Sequence, residues 1–318
     1  MSRVVLGGAS GFLGARLHAD FRDEGLEVVT VGRGAGSDLR WDDARGLAAA
    51  VDGAELVVGL AGKSVNCRYT ARNRAELLRS RLATTRALRE AISAAAAPPP
   101  LWLNASTATI YRHADDAAQT ESTGELGMEL FSEDLARAWE AELMAGELPG
   151  TRRIPLRITI VLGAGGALGP LARLARLGLG GANHDGWWLP LPGRRAARTW
   201  LPPRTRRGAQ RFSWAHIDDV SGIVRHLREH PEIDGPVIIG TPTPTDNREF
   251  MAALRRAVGT AFGPPTPRWV LELGSLAMRT EAELVLKSRW VLPETLLRSG
   301  YEFRHTDLEE AIRASLAR

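Results

Sequence analysis

RVVLGGASGFLGARL, residues 3–17, runs a short apolar strand into a glycine loop and then into a helical pattern. Val4, Val5 and Leu6 lead into Gly8-Ala-Ser-Gly11-Phe-Leu-Gly14. Gly8 permits a tight turn, Gly11 lets backbone N–H groups approach a pyrophosphate, and Gly14 lets the helix pack closely on the strand. The helix N-terminus adds partial positive charge where the anion would lie. A GxxGxxG spacing by itself is weak. The strand before it and the helix after it make it read as a dinucleotide cradle.

The next strand, Leu26 to Val31, ends at Gly32-Arg33. An NAD site places a carboxylate near this strand end, on the ribose 2′-hydroxyl. Arg33 stands there instead, and a guanidinium can fork onto a 2′-phosphate. One such charge-assisted bond is worth roughly 1.5–3 kcal/mol, or about 10- to 100-fold in favour of NADP. A solvated surface arginine is the competing reading. Position and the missing acid together favour NADP as the cofactor.

Strands read at 3–7, 26–32, 55–60, 101–106 and 153–160, with helices between them at about 12–24, 43–51, 71–95 and 132–146. Alternation of this kind with near-continuous apolar strands predicts a parallel sheet covered on both faces. Ser132 is the expected N-cap of the fourth helix, with Glu133 and Asp134 complementing its dipole. A glycine loop at 163–169 breaks the pattern, which resumes at Phe212 and supplies a further strand at 236–240. The fold class is therefore α/β: a Rossmann-like, doubly wound parallel sheet with a smaller, mostly helical C-terminal substrate domain. Residues 1–165, rejoined by 212–240, form the dinucleotide-binding part. Residues 166–211 and 241–318 form the remainder.

The 318 residues, 44% hydrophobic and 25% charged, suit a soluble globular chain. One cysteine, Cys67, excludes an intrachain disulfide and a cysteine metal cluster, and no metal site is expected. No apolar run approaches the ~18 residues of a membrane span, and no signal peptide precedes the first strand, so a cytoplasmic protein is expected. Lysine is confined to Lys63 and Lys287. The net charge of +4 is local: seven arginines (194, 195, 198, 204, 206, 207, 211) fall within 194–211, and without them the rest carries −3. This argues against a general nucleic-acid binder.

In order along the chain come Gly32-Arg33, Trp41-Asp42, Leu60-Ala-Gly62, Ser80-Arg81, Thr107-Ala-Thr-Ile-Tyr111, Trp139-Glu140, Val161-Leu-Gly163 and Trp214-Ala-His-Ile-Asp-Asp219. Val291-Leu-Pro and Gly300-Tyr-Glu-Phe-Arg follow. With the glycine loop, this set resembles the extended short-chain dehydrogenase/reductases, and within them the atypical "epimerase family protein" branch with its C-terminal domain of unknown function. The resemblance implies NADP contacts at Gly8, Ser10, Gly11, Phe12, Leu13, Gly32, Arg33, Leu60, Ala61, Glu76, Arg81 and Val161. Leu60-Ala-Gly62 also makes physical sense, since ligands in such sheets lie beyond strand ends and small residues admit a ribose. Close packing alone would also explain Ala61 and Gly62.

The resemblance further implies that Thr107 hydrogen-bonds the reacting oxygen while a Tyr-x-x-x-Lys pair moves the proton. That pair is absent. Tyr69, Tyr111 and Tyr301 are followed four residues on by Asn73, Asp115 and His305. Aligned on Trp139-Glu140, the tyrosine becomes Ser132 and the lysine Ala136, and neither is expected to substitute: a serine hydroxyl is far less acidic than a phenol, and alanine has no proton or charge. Positioned acid–base catalysis contributes about 10²–10⁴ in rate, so its loss slows hydride transfer without abolishing it. Tyr111, Glu133, Asp134 and Lys63 are the candidate substitutes, Tyr111 foremost. The Trp214–Asp219 segment reads as structural support rather than as a metal site or catalytic dyad.

Residues 182–212, rich in Arg, Trp and Pro, read as an insertion of roughly 15–20 residues relative to the branch, beyond ordinary loop lengths. A lid whose arginines bind an anionic substrate, a docking surface for a protein or single strand, and a solvated, poorly ordered loop all fit this composition. Relatives commonly dimerise, so a homodimer is open. The expected function is an NADP-dependent oxidoreductase or epimerase acting on a hydroxyl- or carbonyl-bearing small molecule. The alternative is a non-catalytic NADP-binding sensor or scaffold.

Overall fold

A computed structural model describes residues 2–317. The strands are β1 (Arg3–Gly7), β2 (Glu27–Gly32), β3 (Leu39–Arg40), β4 (Leu56–Gly59), β5 (Leu101–Thr107), β6 (Arg152–Ile158), β7 (Ile160–Leu162), β8 (Asn183–His184), β9 (Arg211–Phe212), β10 (Trp214–His216), β11 (Val237–Ile239), β12 (Thr245–Asp246) and β13 (Thr266–Pro267). The helices are α1 (Phe12–Asp23), α2 (Ala44–Val51), α3 (Ala71–Ala94), α4 (Phe131–Met144), α5 (Leu168–Arg176), α6 (Pro192–Ala196), α7 (Ile217–Glu229), α8 (Asn247–Ala257), α9 (Arg268–Ala277), α10 (Glu283–Leu286), α11 (Glu294–Arg298) and α12 (Leu308–Leu316).

Seven strands form one parallel sheet in the order β11-β6-β5-β4-β1-β2-β3. Alternating side chains serve opposite faces. Val4, Leu6, Leu56, Val58, Leu101 and Leu103 enter one core with Leu17, Phe21 and Ile223. Val5, Val57 and Trp102 enter the other with Leu47, Leu88, Ile92 and Leu143. Both faces are thus buried, as the unbroken apolar strands require. The chain winds outward from β1 to β3, then in the other direction from β4 to β6. The crevice between the carboxyl ends of β1 and β4 is therefore the switch point where ligands bind in such sheets.

Two local readings are corrected. The expected strand at 153–160 is two: Thr159 turns inward, its N–H and Oγ1 both bonding Ile239 O, at 3.1 and 2.7 Å. β7 then leaves the main sheet to pair with β10. Ser132 is not an N-cap. α4 begins one residue earlier, with Leu130 as N-cap, and the Glu133 carboxylate accepts from the N–H groups of Glu129 and Leu130 at 2.7 and 2.8 Å. A second core, with Leu162, Leu168, Trp214, Phe250, Leu254 and Ile312, joins α5, α8 and α12 beyond the sheet. No helix among the described residues is long and apolar enough to cross a membrane.

Candidate active site

The cradle is built by excluding Cβ atoms. Gly8 has φ of +88°, and a Cβ there would lie 3.0 Å from Ala61 N. A Cβ on Gly14 would lie 2.2 Å from Gly8 O, so only glycine lets α1 start this close to the turn. Gly8 N–H donates to Val31 O at 3.0 Å, tying the loop to β2. The N-cap Gly11 offers no side-chain cap, and the first turn holds no acid. The leading N–H groups of α1 are therefore left for an anion, which a pyrophosphate satisfies. Phe12 packs against the loop at Gly163, Gly165 and Gly166.

Beyond β2, Arg33 is exposed and makes no hydrogen bond or ion pair with the described residues. One carboxylate, Asp38, does follow Arg33 in the chain. It accepts from Thr30 N and Thr30 Oγ1 at 2.8 and 2.7 Å, and these bonds hold its pKa below the ordinary aspartate value.

The loop after β4 is held from behind. Arg81, 8% exposed, donates to Lys63 O at 3.0 Å and lies 4.8 Å from the Trp139 ring. Burial pulls its pKa down to about 10. Ser80 Oγ accepts from Lys63 N at 3.0 Å, and Gly62 rests on the Arg81 side chain. Arg81 thus shapes the Leu60–Lys63 loop. Glu76 pairs with Arg79 at 2.8 Å on the outer part of α3.

Thr107 ends β5, partly exposed, and its Oγ1 accepts from Thr109 N at 3.1 Å. That leaves the hydroxyl proton available to a substrate oxygen. Tyr111 does not join it. The ring is 2% exposed, its hydroxyl donates to Thr120 O at 2.9 Å and accepts from Arg157 Nη1 at 2.6 Å. Burial outweighs Arg157 and pushes the phenol up to about 12. Tyr111 is a buried anchor, not a proton donor to the cleft.

Apart from Val291, no site role is legible in the sequence for the segment 280–291. It straps across both halves of the molecule. Arg68 donates to Thr280 O at 2.9 Å, and Glu281 accepts from Tyr69 N at 2.7 Å. Ser132 Oγ donates to Glu283. Lys287, fully buried, bonds Glu133 Oε1 at 2.6 Å and the carbonyls of Thr109 and Tyr111 at 2.8 Å each. Arg289 donates to Thr109 Oγ1 at 3.0 Å. Burial lowers the pKa of both Lys287 and Arg289. Glu133, proposed as a free acid from sequence, is thus committed to an ion pair, and Asp134 pairs with Arg137 and Arg198. The signal that could have drawn attention here was Lys287 itself, one of two lysines in an arginine-rich chain.

The arginine-rich loop is pinned by carboxylates from other elements. Arg194 pairs with Glu272 and Glu281, Arg198 with Asp134, and Arg204 with Glu129. Arg195 and Arg211 lie over Trp200 and Trp290 at 4.8 and 4.2 Å. Of the three readings of this loop, the solvated, poorly ordered one does not fit Arg194, Arg198 and Arg204, which are held in ion pairs. In the Trp214–Asp219 segment, His216 caps α7 through Asp218 N at 3.2 Å. Asp218 pairs with Arg16 at 2.5 Å, and Asp219 accepts from the N–H groups of Arg304 and His305 at 2.7 and 3.1 Å.

A doubly wound sheet with a glycine cradle at its switch point and a hydroxyl at the end of β5 defines a Rossmann-type dinucleotide-binding protein. The profile of the NAD dependent epimerase/dehydratase family matches residues 4–240, and the chain belongs to that family. A domain of unknown function, DUF1731, matches residues 266–315. Epimerase family protein SDR39U1 from Bos taurus is 31% identical over 99% of this chain and 100% of its own length. Epimerase family protein YfhF from Bacillus subtilis is 26% identical over 99% and 98%. The crystal structure of human SDR39U1 (isoform 2) with NADPH superposes with a TM-score of 0.84 at 29% identity, covering 99% of each chain. The fold is shared with a UDP-glucose 4-epimerase from Thermus thermophilus, at a TM-score of 0.72 and 18% identity over 99% and 98%.

Proposed function

We propose that this chain is an NADP-dependent oxidoreductase or epimerase acting on a hydroxyl- or carbonyl-bearing small molecule. The uncapped start of α1 behind the glycine cradle, with Arg33 free beside it, carries this reading. The NADPH bound by the human relative supports it. Gly8, Ser10, Gly11, Phe12 and Leu13 would hold the pyrophosphate side, Gly32 and Arg33 the phosphorylated ribose, and Leu60, Ala61, Gly62 and Val161 the inner half. When bound, the nicotinamide accepts a hydride from a carbinol or returns it to a carbonyl. Thr107 orients the substrate oxygen, and the loop from Leu60 to Lys63, backed by Arg81, keeps that side of the crevice in shape.

A second reading, a cofactor-binding sensor without turnover, draws on the burial of Tyr111 and the missing tyrosine–lysine pair. Titration calorimetry with NADPH and NADH, followed by NADPH oxidation against a panel of carbonyl compounds, separates the two. Saturable NADPH uptake with turnover that falls at least tenfold in Thr107→Val supports the enzyme. Uptake with no turnover on any carbonyl leaves the sensor. Absence of uptake overturns both.

A further inference from the structure

We propose that Ser132 and Glu283 form the proton relay of this site: the Ser132 hydroxyl exchanges a proton with the substrate oxygen, and Glu283 holds that proton behind it. The proposal rests on the oxidoreductase reading and names the residues that do the work of the absent tyrosine and lysine. Ser132 lies in the first turn of α4, 7% exposed, and its Oγ donates to Glu283 Oε1. Glu283 is 2% exposed, and its Oε2 is buried without a hydrogen-bond partner. An unpartnered carboxylate oxygen is costly to bury. A serine hydroxyl alone is too weakly acidic for the tyrosine's task, and the carboxylate behind it supplies the missing base.

The two hydroxyls that the relay requires are brought to one wall by a single ammonium. Lys287 Nζ bonds Glu133, the residue after Ser132, and also the carbonyls of Thr109 and Tyr111. Thr109 N–H in turn holds Thr107 Oγ1, and Thr109 Oγ1 accepts from Arg289. The turn that carries Thr107 and the turn that carries Ser132 are therefore clamped together. The titratable and charged groups around Glu283 are Glu133 on α4, Glu281, Lys287 and Arg289 on its own segment, and Tyr69 after β4. Lys287 and Arg289 supply countercharge to Glu283.

The step balances. When a carbinol at Thr107 is oxidised, its C–H pair leaves as hydride to an oxidised nicotinamide. Its O–H proton passes to Ser132 Oγ as the proton Ser132 held passes to Glu283. Carbonyl reduction runs the same transfers backwards. Ser132 is the catalytic hydroxyl, and Glu283 acts through it.

Two measurements on the full chain test the relay, with NADPH uptake by fluorescence reporting separately on the cofactor site. The first follows reduction of 9,10-phenanthrenequinone by the NADPH-loaded protein across pH. Glu283→Gln keeps the shape but cannot take the proton, and Ser132→Ala removes the hydroxyl. Each is expected to lower the rate by about 10²–10⁴ and to remove the same inflection from the pH profile. The second is infrared spectroscopy of the carboxyl region: a pH-responsive band absent in Glu283→Gln and displaced in Ser132→Ala. Wild-type rate with an unchanged pH profile in either variant, or no such band, overturns the relay. If NADPH is not taken up, the oxidoreductase reading fails, and the infrared band alone decides whether Glu283 exchanges protons through Ser132.

Discussion

The two walls of the crevice are made in opposite ways. The glycine cradle is local, contained within residues 7–14 and built from backbone by leaving side chains out. The wall around Thr107 is assembled from residues 107–111, 132–133 and 281–289, joined by contacts 151 to 180 residues apart in sequence. It is built by burying charge. Removing a Cβ leaves a glycine at a fixed spacing, which a reader of the sequence can see. Burying a charge leaves an ordinary glutamate on a helix and an ordinary lysine near the C-terminus, each of which looks like a surface residue until the other is found.

If the charged wall is sealed as described, its lysine should be costly to remove. Lys287→Met strands Glu133 and is expected to lower stability by about 3–5 kcal/mol in urea unfolding. Adding Glu133→Gln to that variant should recover part of the loss. A single variant as stable as wild type would show that water reaches the pair, and the contrast between the walls would dissolve. On the cradle side the expected effect is smaller. Arg33→Ala should weaken NADPH binding by about 10- to 100-fold and leave NADH unchanged, read by calorimetry. Equal losses for both cofactors would move the phosphate contact elsewhere.

The smallest effect concerns the clasp between the arginine-rich loop and the body. Burial raises the Asp115 carboxyl, but hydrogen bonds from His113, Ser288 and Thr205 outweigh it and bring the pKa to about 2. A depressed carboxylate stabilises the fold above its unfolded pKa, and that gain is lost as pH falls toward the folded one. The Asp115 side chain is 36% exposed, so solvent screening leaves roughly 1 kcal/mol. Asp115→Asn should cost about that much at pH 7, and the difference from wild type should close between pH ~4 and ~2 in urea unfolding. A gap that persists at pH 2 would assign the clasp to packing rather than charge.

These contrasts follow what the sequence made legible. The parallel sheet, the switch point and the cradle could be read because strand alternation and glycine spacing are periodic and short-range. Thr107 was placed at the end of a strand and lies there. Ser132 was read as a cap because serine before an acidic turn usually is one. The start of α4 is instead fixed by the Glu133 carboxylate, and Ser132 points to Glu283. Tyr111 was a candidate acid because nothing local shows that Arg157 and Thr120 hold its hydroxyl. Arg194, Arg198 and Arg204 looked like part of one basic patch because their partners Glu129, Asp134, Glu272 and Glu281 lie far off along the chain.

The strap gives the growing polypeptide a timetable. The partners Lys287 and Glu133 are separated by 154 positions, and at about 5–20 residues per second the carboxylate waits roughly 8–30 s for its cation to be synthesised. β1 to β5 precede Glu133 and β6 is completed within that interval, yet the wall around Thr107 still lacks its countercharge. The glycine shelf can therefore exist on the ribosome before the Thr107 side is finished, and that side waits for residues 280–291.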